Sequence, residues 1–115
     1  MIVVNKEAIS KEAVDLWYEQ WESLSEEIHA AHDRRDGSAF GLMEKGIEQF
    51  EHFLVGCSLN NVSFEKDGHY ELMPINGMER FQFIKKRPAQ YACYRQLDEL
   101  YKETKKRCAR LRLVK

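Results

Sequence analysis

Basic and aromatic side chains interleave between residues 80 and 102, and they are the side chains best suited to bind a ligand. Arginine and lysine attract anionic groups, and tyrosine rings can stack on the bases of a single nucleic-acid strand. This stretch predicts binding, because it contains no motif that is typical of a catalytic reaction. The candidate binding residues are Arg80, Lys86, Arg87, Tyr91, Arg95 and Lys102.

A metal centre is a second chemistry that the residue types allow. Glu26-x-x-His29 has the spacing that helical di-metal proteins use to aim two ligands at one point. Such a centre needs a matching Glu-x-x-His motif, whereas the chain offers only Glu44, Glu48 and His52 at spacings of four. We therefore expect solvated acidic faces, and we predict neither a metal site nor a cofactor.

The three cysteines, Cys57, Cys93 and Cys108, do not indicate catalysis or a disulfide framework. Cys57 and Cys108 fall on apolar helical positions, where a free cysteine usually acts as a small buried hydrophobe. A pairing of Cys57 with His52 or His69 is disfavoured, and the common nucleophile and nucleotide-binding motifs are missing from the sequence. We predict a protein that is not an enzyme, with reduced thiols typical of the cytoplasm.

The formal net charge of −1 conceals two oppositely charged halves. Residues 1–75 carry 6 Lys and Arg against 15 Asp and Glu, and residues 76–115 carry 12 against 4. This split indicates either an acidic layer packed on a basic one, which we favour, or a basic face kept for an anionic partner. An isoelectric point near 6.4 is low for a nucleic-acid-binding domain, so nucleic acid is allowed but not favoured.

The length of 115 residues fits a single helical domain over residues 1–115. Apolar runs reach only three or four residues, as at Met1–Val4, so we expect neither a membrane span nor a secretory signal.

A first long helix is predicted from the N-cap Ser10 to Arg34 or Arg35, with Gly37 in the left-handed conformation beyond its end. Trp17 and Trp21 lie on one face of this helix, and Leu16 and Tyr18 lie on other faces. Together they provide more apolar surface than one helix contact needs. This surplus indicates a partner interface, unless the later helices cover it. The apolar stripe comprises Val14, Trp17, Trp21, Leu24, Ile28 and Ala31.

A second helix follows, capped by Asp36 or Ser38, and the short linker makes it an antiparallel neighbour of the first. Gly46 beside its apolar stripe predicts the close approach of another helix. The stripe comprises Phe40, Met43, Ile47, Phe50, Phe53, Leu54 and Cys57.

Residues 62–72 alternate weakly about the turn signal Asp67-Gly68, which predicts either a small hairpin or a loop. Asn76 with Glu79 three residues later resembles a capping box for a third helix that ends near Lys86. This helix is expected to bury Met78, Phe81 and Ile84 or Phe83.

A proline-bent junction then leads to a fourth helix, with Arg87 extended and Pro88 as the first helical residue. If Arg87 turns inward it needs a carboxylate partner, for which Glu44 or Glu48 is expected, and we favour this ion pair over a ligand site. The apolar residues of the fourth helix are Tyr94, Leu97, Leu100, Tyr101, Thr104, Cys108 and Leu111.

The third and fourth helices contain a pattern formed by Asn76-Gly77 with Glu79-Arg80, Arg87-Pro88, and Tyr91, Tyr94 and Leu97. In this pattern the chain resembles the YpoC-like family of small helical proteins from Gram-positive bacteria. The likeness covers about residues 72–106 and is only general over the first two helices. It implies an all-helical domain and assigns no chemistry to it.

The sequence as a whole predicts an all-α, four-helix bundle-like domain with two long antiparallel helices and a proline-bent pair. The favoured function is that of a non-catalytic protein-interaction module, whose partner is another protein or a second copy. The alternative is a nucleic-acid-associated accessory protein that uses the basic face of the fourth helix.

Overall fold

The computed structural model describes residues 1–114, and helices account for most of them. After a 3-10 turn at Lys6–Ile9, the chain forms α1 (Lys11–Arg34), α2 (Ala39–Gly56), α3 (Gly77–Lys86) and α4 (Tyr91–Leu113). Within these 114 residues there is no β-strand, only two isolated bridges. The prediction of an all-α, bundle-like fold is confirmed, with two long helices followed by a bent pair.

The helices share one apolar core with its centre between α1, α2 and α4. The Trp21 ring stacks on the Tyr101 ring with centroids 4.1 Å apart, and the Tyr101 hydroxyl donates to the Gly46 carbonyl at 2.6 Å. A Cβ atom on Gly46 would lie 2.8 Å from Trp21 Cζ3 and 3.3 Å from Leu97 Cδ2. Gly46 therefore marks a close helix approach, as predicted.

Helix α4 lies beside α1 and runs antiparallel to it. The Trp21 indole N–H donates to Asp98 Oδ1 at 2.9 Å, and one turn further along α1 the Ser25 hydroxyl meets the Tyr94 hydroxyl at 2.8 Å. This contact covers the tryptophans, so that Trp17 is 7% exposed and Trp21 is fully buried. The surplus apolar surface expected on α1 is mostly internal.

The α1–α2 connection differs from its prediction in two details. Arg35, rather than Gly37 alone, takes the left-handed conformation at the end of α1, with φ of 54°. Phe40, predicted on the apolar stripe of α2, is 46% exposed because the buried face of α2 begins at Ala39, one residue earlier. Asp36 accepts hydrogen bonds from the backbone N–H and hydroxyl of Ser38, which lowers the pKa of Asp36 to about 2.

The 62–72 segment is a loop, so of the two predicted alternatives the hairpin does not form. The N-terminal residues pair with both sides of this region, through the bridges Ile2–Tyr70 and Val4–Ser58. The Tyr70 hydroxyl accepts from the Glu65 N–H and donates to the Asn61 side chain. These contacts use groups that a hairpin ladder would need.

The predicted capping box at Asn76 is wrong, although α3 has the predicted bounds. Asn76 lies in the left-handed region with φ of 55°, and its side chain makes no cap hydrogen bond. The Gly77 N–H bonds to the Pro74 carbonyl, and this turn places Asn76 in a conformation that asparagine tolerates better than most residues.

The predicted helical role of Pro88 is also wrong, because α4 begins three residues later at Tyr91. The Gln90 N–H bonds to the Arg87 carbonyl, so residues 87–90 form a turn. The turn brings α4 back along α3, where Arg80 reaches Glu103. Tertiary packing of the two helices thus takes precedence over the local preference of proline.

Candidate functional site

Two of the six candidate binding residues are held in ion pairs within the protein. The Arg80 guanidinium makes a two-point contact with the Glu103 carboxylate, at 3.1 Å and 2.6 Å. This contact lowers the pKa of Glu103 and raises that of Arg80. Lys102 Nζ lies 3.0 Å from Asp98 Oδ2, one helical turn away on α4. Arg80 and Lys102 are therefore partly neutralised.

The other four candidates lie around the turn between α3 and α4. Lys86, Arg87 and Arg95 are exposed, and none makes an ion pair within the described residues 1–114. Tyr91 is 44% exposed and packs edge-on against His32, with ring centroids 5.2 Å apart. The structure thus divides the predicted binding surface, with four residues at the α3–α4 turn, Arg80 on Glu103 and Lys102 on Asp98.

The predicted inward ion pair of Arg87 with Glu44 or Glu48 does not form. Arg87 follows the end of α3 with φ of −140° and ψ of 58°, which is neither helical nor the predicted extended conformation, and its side chain is exposed. Lys85 takes the role instead, with Nζ 2.5 Å from Glu51 Oε2. Lys85 lies on the face of α3 that points towards α2, whereas Arg87 has left the helix.

Several basic residues of α4 hold the N-terminal half of the chain. Arg107 donates to the Glu71 carbonyl, and Arg112 donates to the Ile9 carbonyl at 2.8 Å. Lys105 reaches across to Asp15 on α1, at 3.8 Å. The arginines bind backbone carbonyls, whereas Lys105–Asp15 and Lys85–Glu51 join a base of the second half to an acid of the first, as the favoured interpretation of the charge split anticipates.

A groove of about 640 Å³ runs between the first half of α1 and the last half of α4. Val14, Tyr18 and Ala109 form its floor. Hereafter the acidic wall is the α1 side with Asp15, Glu19 and Glu22, and the basic wall is the α4 side with Lys102, Lys105 and Lys106.

The two walls of the groove are only partly neutralised by each other. Asp15 pairs with Lys11 at 2.7 Å, and the hydrogen bond from Lys11 lowers the pKa of Asp15. Lys105 Nζ lies 4.5 Å from the centroid of the Tyr18 ring, whose burial raises the Tyr18 pKa. Within residues 1–114 three charges of the walls make no ion pair, and they belong to Glu19, Glu22 and Lys106.

Of the groove residues, only Lys102 is among the six candidate binding residues predicted from the sequence. Asp15, Glu19 and Glu22 recur at spacings of four and three, which places them on one flank of α1. That spacing is a usable signal for an acidic flank. It carries no information on which helix the flank will face.

The thiols and the acidic side chains do not assemble a reactive site in the described part of the chain. Burial raises the pKa of Cys57 to about 11 and that of Cys108 to about 12, so both remain protonated thiols. In residues 1–114 no group of three His, Cys, Asp or Glu side chains is close enough to hold a metal ion. His29 instead lies near Asp33 on its own helix, at 3.8 Å.

From residue 1 to residue 114, every helix is too short or too polar to span a bilayer.

Comparisons with known proteins identify relatives by sequence. The protein named "Uncharacterized protein YpoC" of Bacillus subtilis (strain 168) is 39% identical over 57 residues. That alignment covers 48% of this chain and 35% of the relative, so the match extends over about a third of the relative's length. No solved structure matches the chain.

The sequence model of the family described as "YpoC-like protein" matches residues 11–115, which include all four α-helices. The resemblance seen in the third and fourth helices is thereby confirmed, and it extends over the first two as well. The chain belongs to the YpoC-like family.

Proposed function

We propose that this protein is a non-catalytic protein-interaction module whose α1–α4 groove binds a segment of another polypeptide. The observation that carries the proposal is the presence of an acidic wall and a basic wall on one groove. A polypeptide can present both signs of charge within one segment. The groove volume of about 640 Å³ accommodates several side chains of such a segment.

The same arrangement makes a nucleic-acid backbone a poor occupant of the groove. Phosphates near Lys105 and Lys106 would also lie near the acidic wall, since Lys105 is 3.8 Å from Asp15. Like charges oppose each other at this range in a partly screened environment. The mixed groove therefore favours a protein over a phosphate chain.

The non-catalytic part of the proposal is supported by the side chains that are available. The raised pKa values of Cys57 and Cys108 disfavour a thiolate nucleophile. All three cysteines are free and buried, which suits a reducing compartment such as the cytoplasm. An assay that finds turnover dependent on a groove residue would overturn this part.

The test compares partner capture by three immobilised proteins from a native extract. The wild type and the control Glu27→Lys/Glu44→Lys, with two exposed acids changed outside the groove, should retain the same partner. The groove variant Glu19→Lys/Glu22→Lys should lose it, because it reverses the unpaired acids of the acidic wall. A partner that binds the groove variant and the wild type equally would place the interface elsewhere.

Nucleic-acid binding is the second candidate, and it belongs to the α3–α4 turn rather than to the groove. The observation in its favour is the set of exposed cations Lys86, Arg87 and Arg95 beside the partly exposed ring of Tyr91. Fluorescence anisotropy with labelled oligonucleotides should show binding that weakens steeply with salt. The variant Lys86→Ala/Arg87→Ala should reduce that binding, and equal binding by the variant would contradict this candidate.

A further inference from the structure

We infer that the polypeptide seated in the α1–α4 groove is a second copy of this chain, an inference that rests on the proposed function. The basis is symmetry. In an interface with two-fold symmetry the same surface patch occurs on both subunits, so the patch must be complementary to itself. A groove with one acidic and one basic wall meets this condition for one particular axis.

That axis runs along the groove. Rotation by half a turn about it places α1 of one copy over α4 of the other, and the reverse. Each acidic wall then faces the basic wall of the second copy. Because α1 and α4 are antiparallel within one copy, they are also antiparallel across the interface, which suits their helix dipoles.

The charges of the two copies also match in their position along the groove axis, which we call their height. Within one copy Asp15 is level with Lys105, and Trp21 is level with Asp98, as their contacts show. Glu19 lies between the two levels on α1, and position 102 lies between them on α4. An axis along the groove preserves height, so Glu19 of one copy faces Lys102 of the other.

The charges without internal partners supply the attraction. Glu19, Glu22 and Lys106 make no ion pair within the described residues of one copy. In the two-fold arrangement the unpaired acids of one copy approach the basic wall of the other. Lys11 and Arg112 also line the groove, but Lys11 is paired with Asp15 and Arg112 is held by the Ile9 carbonyl.

The floor of the groove supplies an apolar centre for the same arrangement. Val14 is buried and Tyr18 is half-buried, and Ala109 has a side chain small enough to leave room above it. The aliphatic stems of the wall lysines can cover this floor while their ammonium groups remain at the rim. The resulting four-helix contact is polar, and we expect reversible association that depends on salt.

Sedimentation equilibrium of the wild type at low ionic strength gives the first test. We expect a monomer–dimer equilibrium whose dissociation constant rises at least about tenfold between about 50 mM and about 500 mM NaCl, because salt screens exposed charges. A wild type that stays monomeric up to submillimolar concentration at the lower salt overturns the inference. The proposed function would survive that result if the groove variant still loses a captured partner.

Paired charge reversals give the second test. The acid-reversed chain is Glu19→Lys/Glu22→Lys, and the base-reversed chain is Lys102→Glu/Lys106→Glu. Each alone should be monomeric, because both facing walls then carry the same sign. Mixed in equal amounts they should form a heterodimer, because the reversed acidic wall of one chain then faces the reversed basic wall of the other. Dimers of either reversed chain alone would overturn the inference.

Two controls keep this result interpretable. Circular dichroism melts must show that each reversed chain is folded, and sedimentation of the wild type remains the test if Lys102→Glu beside Asp98 unfolds the protein. Glu27→Lys/Glu44→Lys, with the same change in net charge as the acid-reversed chain, should dimerise like the wild type. Loss of the dimer in this control would trace the association to net charge and overturn the groove as its site.

Discussion

The contact between α1 and α4 has two sections that differ in chemistry. In the section from Trp21 to Ser25, aromatic rings and buried hydrogen bonds close the space between the helices. In the open section, which is the outer flank of the contact from Lys11 to Glu22, the same two helices leave a groove with charged walls. The helices continue through both sections, so the backbone does not account for the difference.

Side-chain size and charge account for it. Trp21 and Tyr101 stack with an interplanar angle of 7°, and flat rings of this kind fill the space to the density of a protein core. Val14 and Ala109 are small, and their neighbours are lysines and carboxylates that keep their heads in water. One pair of helices therefore provides rigidity in one section and an accessible surface in the other.

Removal of the ring at the centre of the closed section should have the largest effect. Trp21→Ala should lower the free energy of unfolding by about 3–5 kcal/mol, because it leaves a cavity and removes the donor to Asp98. Urea denaturation measures this change. The control Leu16→Ala, at a position 58% exposed on the same helix, should change stability by less than about 0.5 kcal/mol. Equal costs for the two variants would contradict the closed section as the core.

A methyl group added at the helix crossing should have the next largest effect. Gly46→Ala should destabilise by about 1–3 kcal/mol, since its Cβ would lie 2.8 Å from the Trp21 ring. Thermal melts compare it with Gly41→Ala on the same helix, where a Cβ meets nothing within 4 Å. That control should stabilise by up to about 1 kcal/mol, because alanine is the better helix former. Stabilisation by both would show that the crossing is loosely packed.

Acid pH should affect the open section through Asp15. Its pKa is lowered in the folded protein by the hydrogen bond from Lys11, so its favourable contribution is present above the unfolded value near 3.8 and is lost as pH falls through the folded value. Lys11→Met should raise the pKa of Asp15 towards 3.8, as measured by NMR titration of its side chain. An unchanged titration curve would show that the Lys11–Asp15 contact is not maintained in solution.

The unpaired wall residues should have the smallest effect on stability. Glu19→Ala and Lys106→Ala should each change the free energy of unfolding by less than about 0.5 kcal/mol, because both side chains are exposed and neither makes an ion pair within one copy. Denaturation of dilute protein, where any dimer has dissociated, is the appropriate measurement. A loss of stability comparable with that of Gly46→Ala would show that the groove residues belong to the folded core. The open and closed sections would then not differ in their role.

Much of the fold follows from residue spacing. The three-four alternation identified the buried positions of α1 and α4, and the bounds of α3 agree with their prediction. The predictions that failed rest on local signals at junctions, namely the capping role of Asn76, the helical role of Pro88 and the inward turn of Arg87. Capping and turn preferences amount to about 1 kcal/mol, which tertiary packing readily exceeds.

The candidate site was less predictable than the fold. Of the six predicted binding residues, Arg80 is engaged by Glu103, and Lys102 alone reaches the groove. The other four gather at the α3–α4 turn, as a separate surface. Interleaved basic and aromatic residues in sequence become neighbours in space only where the helix period and the turn permit it.

The sequence by itself determined the four helices, their buried stripes and the two oppositely charged halves, because these depend on residue type and on the period of a helix. Only the tertiary structure decided that the acidic flank of α1 would face the lysines of α4 across an open groove. The physical reason is that a solvated charge restricts its neighbours weakly. The apolar stripes set how α1 and α4 pack, and the flanking charges take the positions that this packing leaves to them.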